Sequence, residues 1–127
     1  MLKLIVDAAC DKKAEDVLVL DLRGLCHFTD YFVICHGSSS RQALAIADAI
    51  EERMLTEAKR KPKHVEGRRV GDWILIDFID VVVHVFVDEK REFYGLERLW
   101  GDAPRVALAG TMEGRSRPAR RRPSVSR

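Results

Sequence analysis

The chain has 127 residues, of which 46% are hydrophobic and 33% charged, the composition of an ordinary globular protein. This length suffices for one domain with a modest two-layer core. No apolar run reaches the roughly 18 residues that a membrane span needs, and three cysteines do not predict a disulfide framework. The start of the chain has the pattern of neither a secretory signal nor an organelle-targeting peptide, which predicts a cytoplasmic protein without membrane contact.

The net charge of +2 averages two unlike regions. Residues 111–127 contain six arginines and one acid, whereas residues 1–110 contain 16 basic and 19 acidic side chains and have a charge of −3. The end of the chain is rich in Gly, Ser and Pro and poor in groups that could form a core. We therefore predict a folded domain over residues 1–109 and a basic, disordered tail over residues 110–127. Clustered arginines are sufficient for salt-dependent contact with RNA phosphates, but a solvated tail without a partner explains them equally well.

Hydrophobic patterning predicts one helix and two strands in the first third of the chain. Apolar residues recur at helical spacing over residues 2–13. Residues 15–21 form a short apolar run bounded by charges, which is typical of a buried strand. Residues 31–35 are rich in β-branched and aromatic side chains, which favours a second strand.

A second helix is predicted to begin after Ser39. Ser39 as the N-cap residue with Gln42 three positions later matches a capping box. The helix should end near Arg60, because Pro62 cannot continue it. Residues 61–69 are predicted to be a basic connector.

The last predicted elements are two strands, residues 73–78 and 81–86, and a short helix. Asp88 is placed to cap this helix and Gly101 to stop it. The order α-β-β-α-β-β-α predicts an α/β (α+β) fold, with a mixed sheet of about four strands flanked by helices. Three large apolar residues repeat on the last helix at helical spacing: Phe93, Leu96 and Trp100.

The two strands before the last helix read as a hairpin with two different faces. A two-residue turn at Ile79 and Asp80 would place Phe78 opposite Val81, and side chains would then alternate between the faces. One face would be entirely apolar, which predicts core. It consists of Ile74, Ile76, Phe78, Val81, Val83 and Val85.

The other face of this hairpin mixes aromatic and polar side chains, and residues 70–89 contain five acids and no lysine or arginine. Aromatic residues with a few fixed charges are typical of interface hot spots, so we favour a docking surface. The alternative is that helices cover this face, while Asp77 and His84 pair with each other or with the backbone. The face consists of Trp73, Leu75, Asp77, Val82, His84 and Phe86.

Catalytic and metal-binding patterns are weak. Gly37 and Ser38, after a strand and before a capped helix, are similar to the start of the nucleotidyltransferase signature. That chemistry needs two carboxylates alternating on one strand to hold divalent metals. Asp77 and Asp80 instead lie three residues apart across a turn. The cysteines and histidines lack the spacing of a zinc site. We predict no enzyme activity, no cofactor and no metal.

Several segments of the chain form a specific pattern when they are taken together. They are Leu22-Arg23, Thr29-Asp30-Tyr31-Phe32-Val33-Ile34, Gly37-Ser38-Ser39-Ser40-Arg41-Gln42, Glu66-Gly67, Trp73-Ile74-Leu75-Ile76-Asp77, Val83-His84-Val85-Phe86 and Phe93-Tyr94-Gly95-Leu96-Glu97-Arg98-Leu99-Trp100. This combination resembles the ribosomal silencing factor family, also called Iojap-like. Where family members commonly have Tyr-Gly before the last Asp of the hairpin turn, this chain has Phe78-Ile79-Asp80.

The resemblance implies a nucleotidyltransferase-like fold without catalysis. It implies binding to the large ribosomal subunit through ribosomal protein L-fourteen, which would block joining of the small subunit when nutrients are short. It also implies a homodimer of the free protein, and the basic tail could add weak rRNA contact. An assembly factor for the large subunit is the alternative, and a nucleotidyltransferase is a distant third. The expected contact residues are Trp73, Asp77, Asp80, His84, Tyr94, Leu96, Glu97 and Trp100.

Overall fold

A computed structural model describes residues 1–114 of the chain. Residues 115–127, which include most of the predicted tail, lie outside the described residues. The elements in chain order are α1 (Leu2–Asp11), β1 (Glu15–Asp21), β2 (Tyr31–Gly37), α2 (Ser40–Ala58), β3 (His64–Glu66), β4 (Trp73–Asp77), β5 (Val81–Val87), α3 (Asp88–Tyr94) and α4 (Leu96–Leu99).

The described strands form one mixed sheet of five strands in the order β1-β2-β5-β4-β3. β2 and β5 run parallel, and the other neighbours are antiparallel. The predicted mixed α+β fold is confirmed. The prediction of about four strands missed β3, which lies in the predicted connector. β3 has only three residues and a single half-buried apolar side chain, Val65, so its hydrophobic pattern is too short to detect.

The predicted cap of α2 is present. The Gln42 amide N–H donates to Ser39 Oγ at 3.1 Å, and the Ser38 amide N–H donates to Gln42 Oε1 at 2.7 Å. Gln42 Nε2 also donates to the carbonyls of Lys12 and Lys13, both at 3.2 Å. The start of α2 is thereby fastened to the end of α1. The helix ends at Ala58, close to the predicted position.

The last predicted helix is divided into α3 and α4 by Gly95, whose φ is +61°. A non-glycine residue rarely adopts this conformation. The predicted Asp88 cap is wrong, because Asp88 is already the first helical residue and Val87 precedes the helix. The break also places Phe93 in solvent, 74% exposed, whereas Leu96 and Trp100 pack against the sheet.

The hairpin register is as predicted: Asp77 lies opposite Val82, and the Phe78 amide N–H donates to the Val81 carbonyl at 2.8 Å. The apolar face belongs to a large core between the sheet and the two long helices, α1 and α2. The mixed face contributes to a smaller cluster on the other side of the sheet. Half-buried Leu96 and Trp100 pack against that smaller cluster.

The segment after α4 runs along the outer side of β1. The Val106 and Met112 amide N–H groups donate to the Val19 and Val17 carbonyls at 2.9 and 2.8 Å. Thr111 is fully buried and its hydroxyl donates to the Leu108 carbonyl at 2.7 Å. The prediction of a disordered tail from residue 110 is therefore wrong for residues 110–114, because backbone hydrogen bonds hold this segment on the sheet edge.

Candidate functional site

The mixed face of the hairpin is built around an indole–imidazole pair. Trp73 Nε1 donates to His84 Nδ1 at 3.1 Å from the neighbouring strand. The Trp73 ring also lies against Phe86, with centroids 5.0 Å apart. This hydrogen bond fixes the imidazole orientation and keeps its Nδ1 unprotonated.

His84 does not reach the surface. It is only 3% exposed, and burial lowers its pKa to about 3, so the imidazole is neutral at physiological pH. The Phe32 ring covers the imidazole in an edge contact, with ring centroids 4.4 Å apart. The Trp100 ring in turn packs on Phe32, with centroids 5.9 Å apart. His84 Nε2 has no hydrogen-bond partner among the described residues. His84 is therefore closed to solvent in the isolated chain, because α4 and its flanking Trp100 close over this part of the face, and its role as a contact residue stays a prediction.

The aromatic rings beside His84 do reach the surface. Trp73 is half-buried and packs on Tyr94, with ring centroids 4.6 Å apart. Tyr94 packs on Phe93, with centroids 5.1 Å apart. Tyr94 and Phe93 are 45% and 74% exposed. Together with half-buried neighbours they form a continuous apolar area on the outer face of the sheet. We call it the aromatic surface, and it consists of Trp73, Leu75, Phe93, Tyr94, Leu96 and Trp100.

The two aspartates of the hairpin turn have different environments. Asp77 is half-exposed on the face of Trp73, and its Oδ1 accepts from the Ile79 amide N–H at 2.7 Å. Asp80 pairs with Arg60 at 2.9 Å, just after α2. This ion pair ties Asp80 to the helical layer, so the structure does not bring Asp80 together with the aromatic surface. Arg60 can reach Asp80 because the chain passes the hairpin turn after it leaves α2.

Glu97 is also engaged within the fold. Its Oε1 accepts from Nε of Arg91 at 2.9 Å, and Arg91 Nη1 donates to the Asp16 carbonyl at 2.7 Å and to His36 Nδ1 at 3.0 Å. Arg91 is 7% exposed. These bonds fasten α3 and α4 to the edge of the sheet, so Arg91 positions the aromatic surface.

The sequence did not single out Arg91 or Phe93 as residues of this site. An arginine in a charged helix gives no sign that it is buried, since arginine is mostly exposed. Phe93 was assigned to the apolar stripe of a continuous helix, and Gly95 alone signalled the break. That glycine, between two apolar runs, is the one feature that could have separated Phe93 from Leu96 and Trp100.

The features considered for catalysis serve structural roles. Both the amide and the hydroxyl of Ser38 bond to the Gln42 side chain. Burial raises the pKa of the Cys35 thiol to about 12, so this thiol is inert at neutral pH. Over residues 1–114 no three metal-ligating side chains of His, Cys, Asp or Glu cluster together. In the same residues no helix combines the length and apolarity needed to cross a membrane.

The fold agrees with comparisons to known proteins. The family model described as "Ribosomal silencing factor during starvation" matches residues 1–127. The chain belongs to the ribosomal silencing factor family. A ribosomal silencing factor from Bacillus subtilis is 47% identical over 108 residues, which cover 85% of this chain and 91% of the relative. One from Halalkalibacterium halodurans is 46% identical over 112 residues, covering 88% and 95%.

More distant relatives and solved structures extend this result. The mouse "Mitochondrial assembly of ribosomal large subunit protein 1" is 32% identical over 76% of this chain and 43% of its own. A crystal structure of a Bacillus halodurans protein has a TM-score of 0.74 at 44% identity and covers 84% of this chain and 96% of the other. One from Chromobacterium violaceum has 0.75 at 33% identity, covering 90% and 95%. The two bacterial sequence relatives are named as ribosomal silencing factors, and the mouse relative is named as a protein of ribosomal large subunit assembly.

Proposed function

We propose that this protein represses translation by binding the large ribosomal subunit through ribosomal protein L-fourteen and sterically blocking the small subunit. The observation that carries the proposal is the run of rings that leads from half-buried Trp73 to exposed Tyr94 and Phe93. Aromatic side chains dominate the binding energy of protein interfaces. Membership of the silencing factor family supplies the host.

The charge around the aromatic surface suits a basic partner. Residues 70–89 contain five acids without a lysine or arginine, and half-exposed Asp77 shares the face of Trp73. Ribosomal proteins are generally basic, so complementary charge would speed encounter and fix orientation. Repression then needs no chemistry, because the bound domain occupies space that the small subunit requires. Scarcity of nutrients would be the condition under which this block matters.

The aromatic surface is tested by subunit reassociation in a sucrose gradient. Wild-type protein added to separated subunits should reduce the fraction of joined particles. The double variant Phe93→Ala, Tyr94→Ala should lose most of this effect, since truncation of interface hot spots costs about 2 kcal/mol or more each. The control is Leu55→Ala, a similarly exposed apolar residue on α2. Full inhibition by the double variant would contradict the proposal.

The charge at Asp77 can be removed without disturbing the turn. Asp77→Asn keeps an oxygen for the Ile79 amide N–H and removes the charge, whereas Asp77→Lys reverses it. We expect co-sedimentation with large subunits to weaken slightly for Asp77→Asn and strongly for Asp77→Lys. Equal binding of all three proteins at low salt would remove Asp77 from the interface.

A second candidate function, assembly of the large subunit, is favoured by the name of the mouse relative. It would use the same aromatic surface. The two functions differ in cells that lack the protein: an assembly factor leaves immature large subunits in growing cells, whereas a repressor leaves mature subunits and excess translation after nutrients are withdrawn. Gradient profiles of such cells distinguish these outcomes.

A further inference from the structure

A group of exposed cations flanks the edge strand β3 on both sides along the chain, and the proposed contact with L-fourteen does not use it. The segment leaves α2, passes through β3 and turns back into β4. β3 is the last strand in the sheet order, so its outer side faces solvent. We call these cations the basic edge, and they are Lys59, Lys61, Lys63 and Arg69, all exposed.

The fold pairs the other cations of this segment with carboxylates, whereas among the described residues no member of the basic edge is paired in this way. Arg60 pairs with Asp80 at 2.9 Å, and Arg68 pairs with Asp48 at 2.7 Å and with Glu51. Within residues 1–114 no carboxylate lies within ion-pair distance of any member of the basic edge. Lys59 Nζ donates to the Thr56 carbonyl at 3.3 Å, and Lys61 lines a cavity with Asp48, Glu51 and Glu52.

The single acid of this segment does not compensate these charges. Glu66 already bonds to the His64 ring at 2.5 Å. Immediately after the segment the sign of the charge reverses. Residues 70–89 contain acidic side chains and no lysine or arginine. The molecule therefore presents a basic strand edge next to an acidic hairpin. Charges segregated in this way suit a host that offers a basic protein and a polyanion side by side.

We propose that the basic edge binds backbone phosphates of rRNA on the large subunit, beside the contact made by the aromatic surface. The inference rests on the proposed function, which supplies a host rich in RNA. Lysine and arginine neutralise phosphates and release condensed counterions, and this type of binding needs no base recognition. A membrane-surface site would instead present the apolar face of an amphipathic helix, which an edge strand does not have.

The salt dependence of large-subunit binding tests this inference with the full-length chain. The variant is Lys61→Gln, Lys63→Gln, Arg69→Gln. The matched control, Lys12→Gln, Lys13→Gln, Arg41→Gln, removes the same charge from exposed residues elsewhere. Losing three phosphate contacts should reduce the slope of log affinity against log salt by about 2. The control should keep the wild-type slope. A variant with the wild-type slope would overturn the inference.

Protein-free large-subunit rRNA separates this inference from the proposed function. If the wild type fails to bind subunits, the proposed function fails. The inference about the basic edge is still supported if the variant binds rRNA with the reduced salt slope, and it is wrong if the slope is unchanged. Acetylation of the wild type supplies a readout without substitutions: bound rRNA should protect Lys61 and Lys63 more than Lys12. If only replacement of the six arginines in residues 115–127 changes the slope, the tail is the RNA contact and the inference is wrong.

Discussion

The two faces of the sheet are covered to very different extents. In the described part of the chain, twenty buried residues form the core beneath α1 and α2, whereas eight form the cluster on the outer face. The outer face is covered by two short helices and the chain that follows them. It therefore leaves Trp73 half-buried and Tyr94 and Phe93 exposed. One face is complete without a partner, and the other leaves large aromatic area for one.

Neighbouring residues of β4 test this contrast most strongly. Ile76 is fully buried in the core face, and Leu75 is half-buried on the outer face. Ile76→Ala should lower the free energy of unfolding by about 2–5 kcal/mol. Leu75→Ala should lower it clearly less, because water already reaches that side chain, yet it should weaken large-subunit binding. Denaturant unfolding and co-sedimentation measure the two effects. Equal destabilisation would show that the faces are equally packed.

Arg91 tests whether the outer cover depends on a buried cation. Arg91→Met keeps the length of the side chain but leaves the Asp16 carbonyl and Glu97 without their donor. We expect a loss of about 1–3 kcal/mol in the free energy of unfolding, together with weaker large-subunit binding. The control Arg98→Met, at an exposed position of α4, should change stability by less than about 0.5 kcal/mol. Wild-type behaviour of Arg91→Met would contradict the positioning role.

His84 makes the outer face sensitive to acid. Its folded-state pKa of about 3 lies below the ordinary value of 6.5, so protonation favours the unfolded chain. Its contribution to stability is complete above pH 6.5 and is lost as the pH falls toward 3, by up to about 1.4 kcal/mol per pH unit. Between pH 7 and pH 5, His84→Phe should lose about 2 kcal/mol less than the wild type. Parallel pH profiles of the two proteins would show that His84 is not buried neutral.

The smallest expected effect concerns the turn that joins β4 and β5. Ile79 has a φ of +81° and is 60% exposed. A β-branched residue in this region costs roughly 1–2 kcal/mol, and glycine relieves the cost at some expense of chain entropy. Ile79→Gly should therefore raise the free energy of unfolding by about 1 kcal/mol, which thermal unfolding can detect. A destabilised variant would indicate that the exposed isoleucine packs in solution.

Local pattern determined most of the fold. The alternation over Trp73 to Phe86 predicted both hairpin faces and their register, because one apolar face permits only one alignment. Ser39 and Gln42 predicted the start of α2 through the capping box. These features depend on residues close together in the chain, which is why the sequence alone reveals them.

Features that depend on tertiary contacts could not be predicted. His84 was assigned to an open surface, since only the packing of Trp100 on Phe32 across the sheet closes it. Asp80 was assigned to the expected contact residues, and its ion pair with Arg60 joins residues twenty positions apart. Thr111 was assigned to a disordered tail, although it is buried on the edge of β1. The remaining contact residues stay predictions.

Hydroxyl-radical footprinting of the protein bound to large subunits tests the central claim most directly. Oxidation of Phe93 and Tyr94 should fall strongly on binding, because the aromatic surface becomes buried. Oxidation of Leu55, which is exposed on α2 over the opposite face of the sheet, should stay unchanged. Protection of Leu55 with Phe93 and Tyr94 still oxidised would show that the helical face makes the contact.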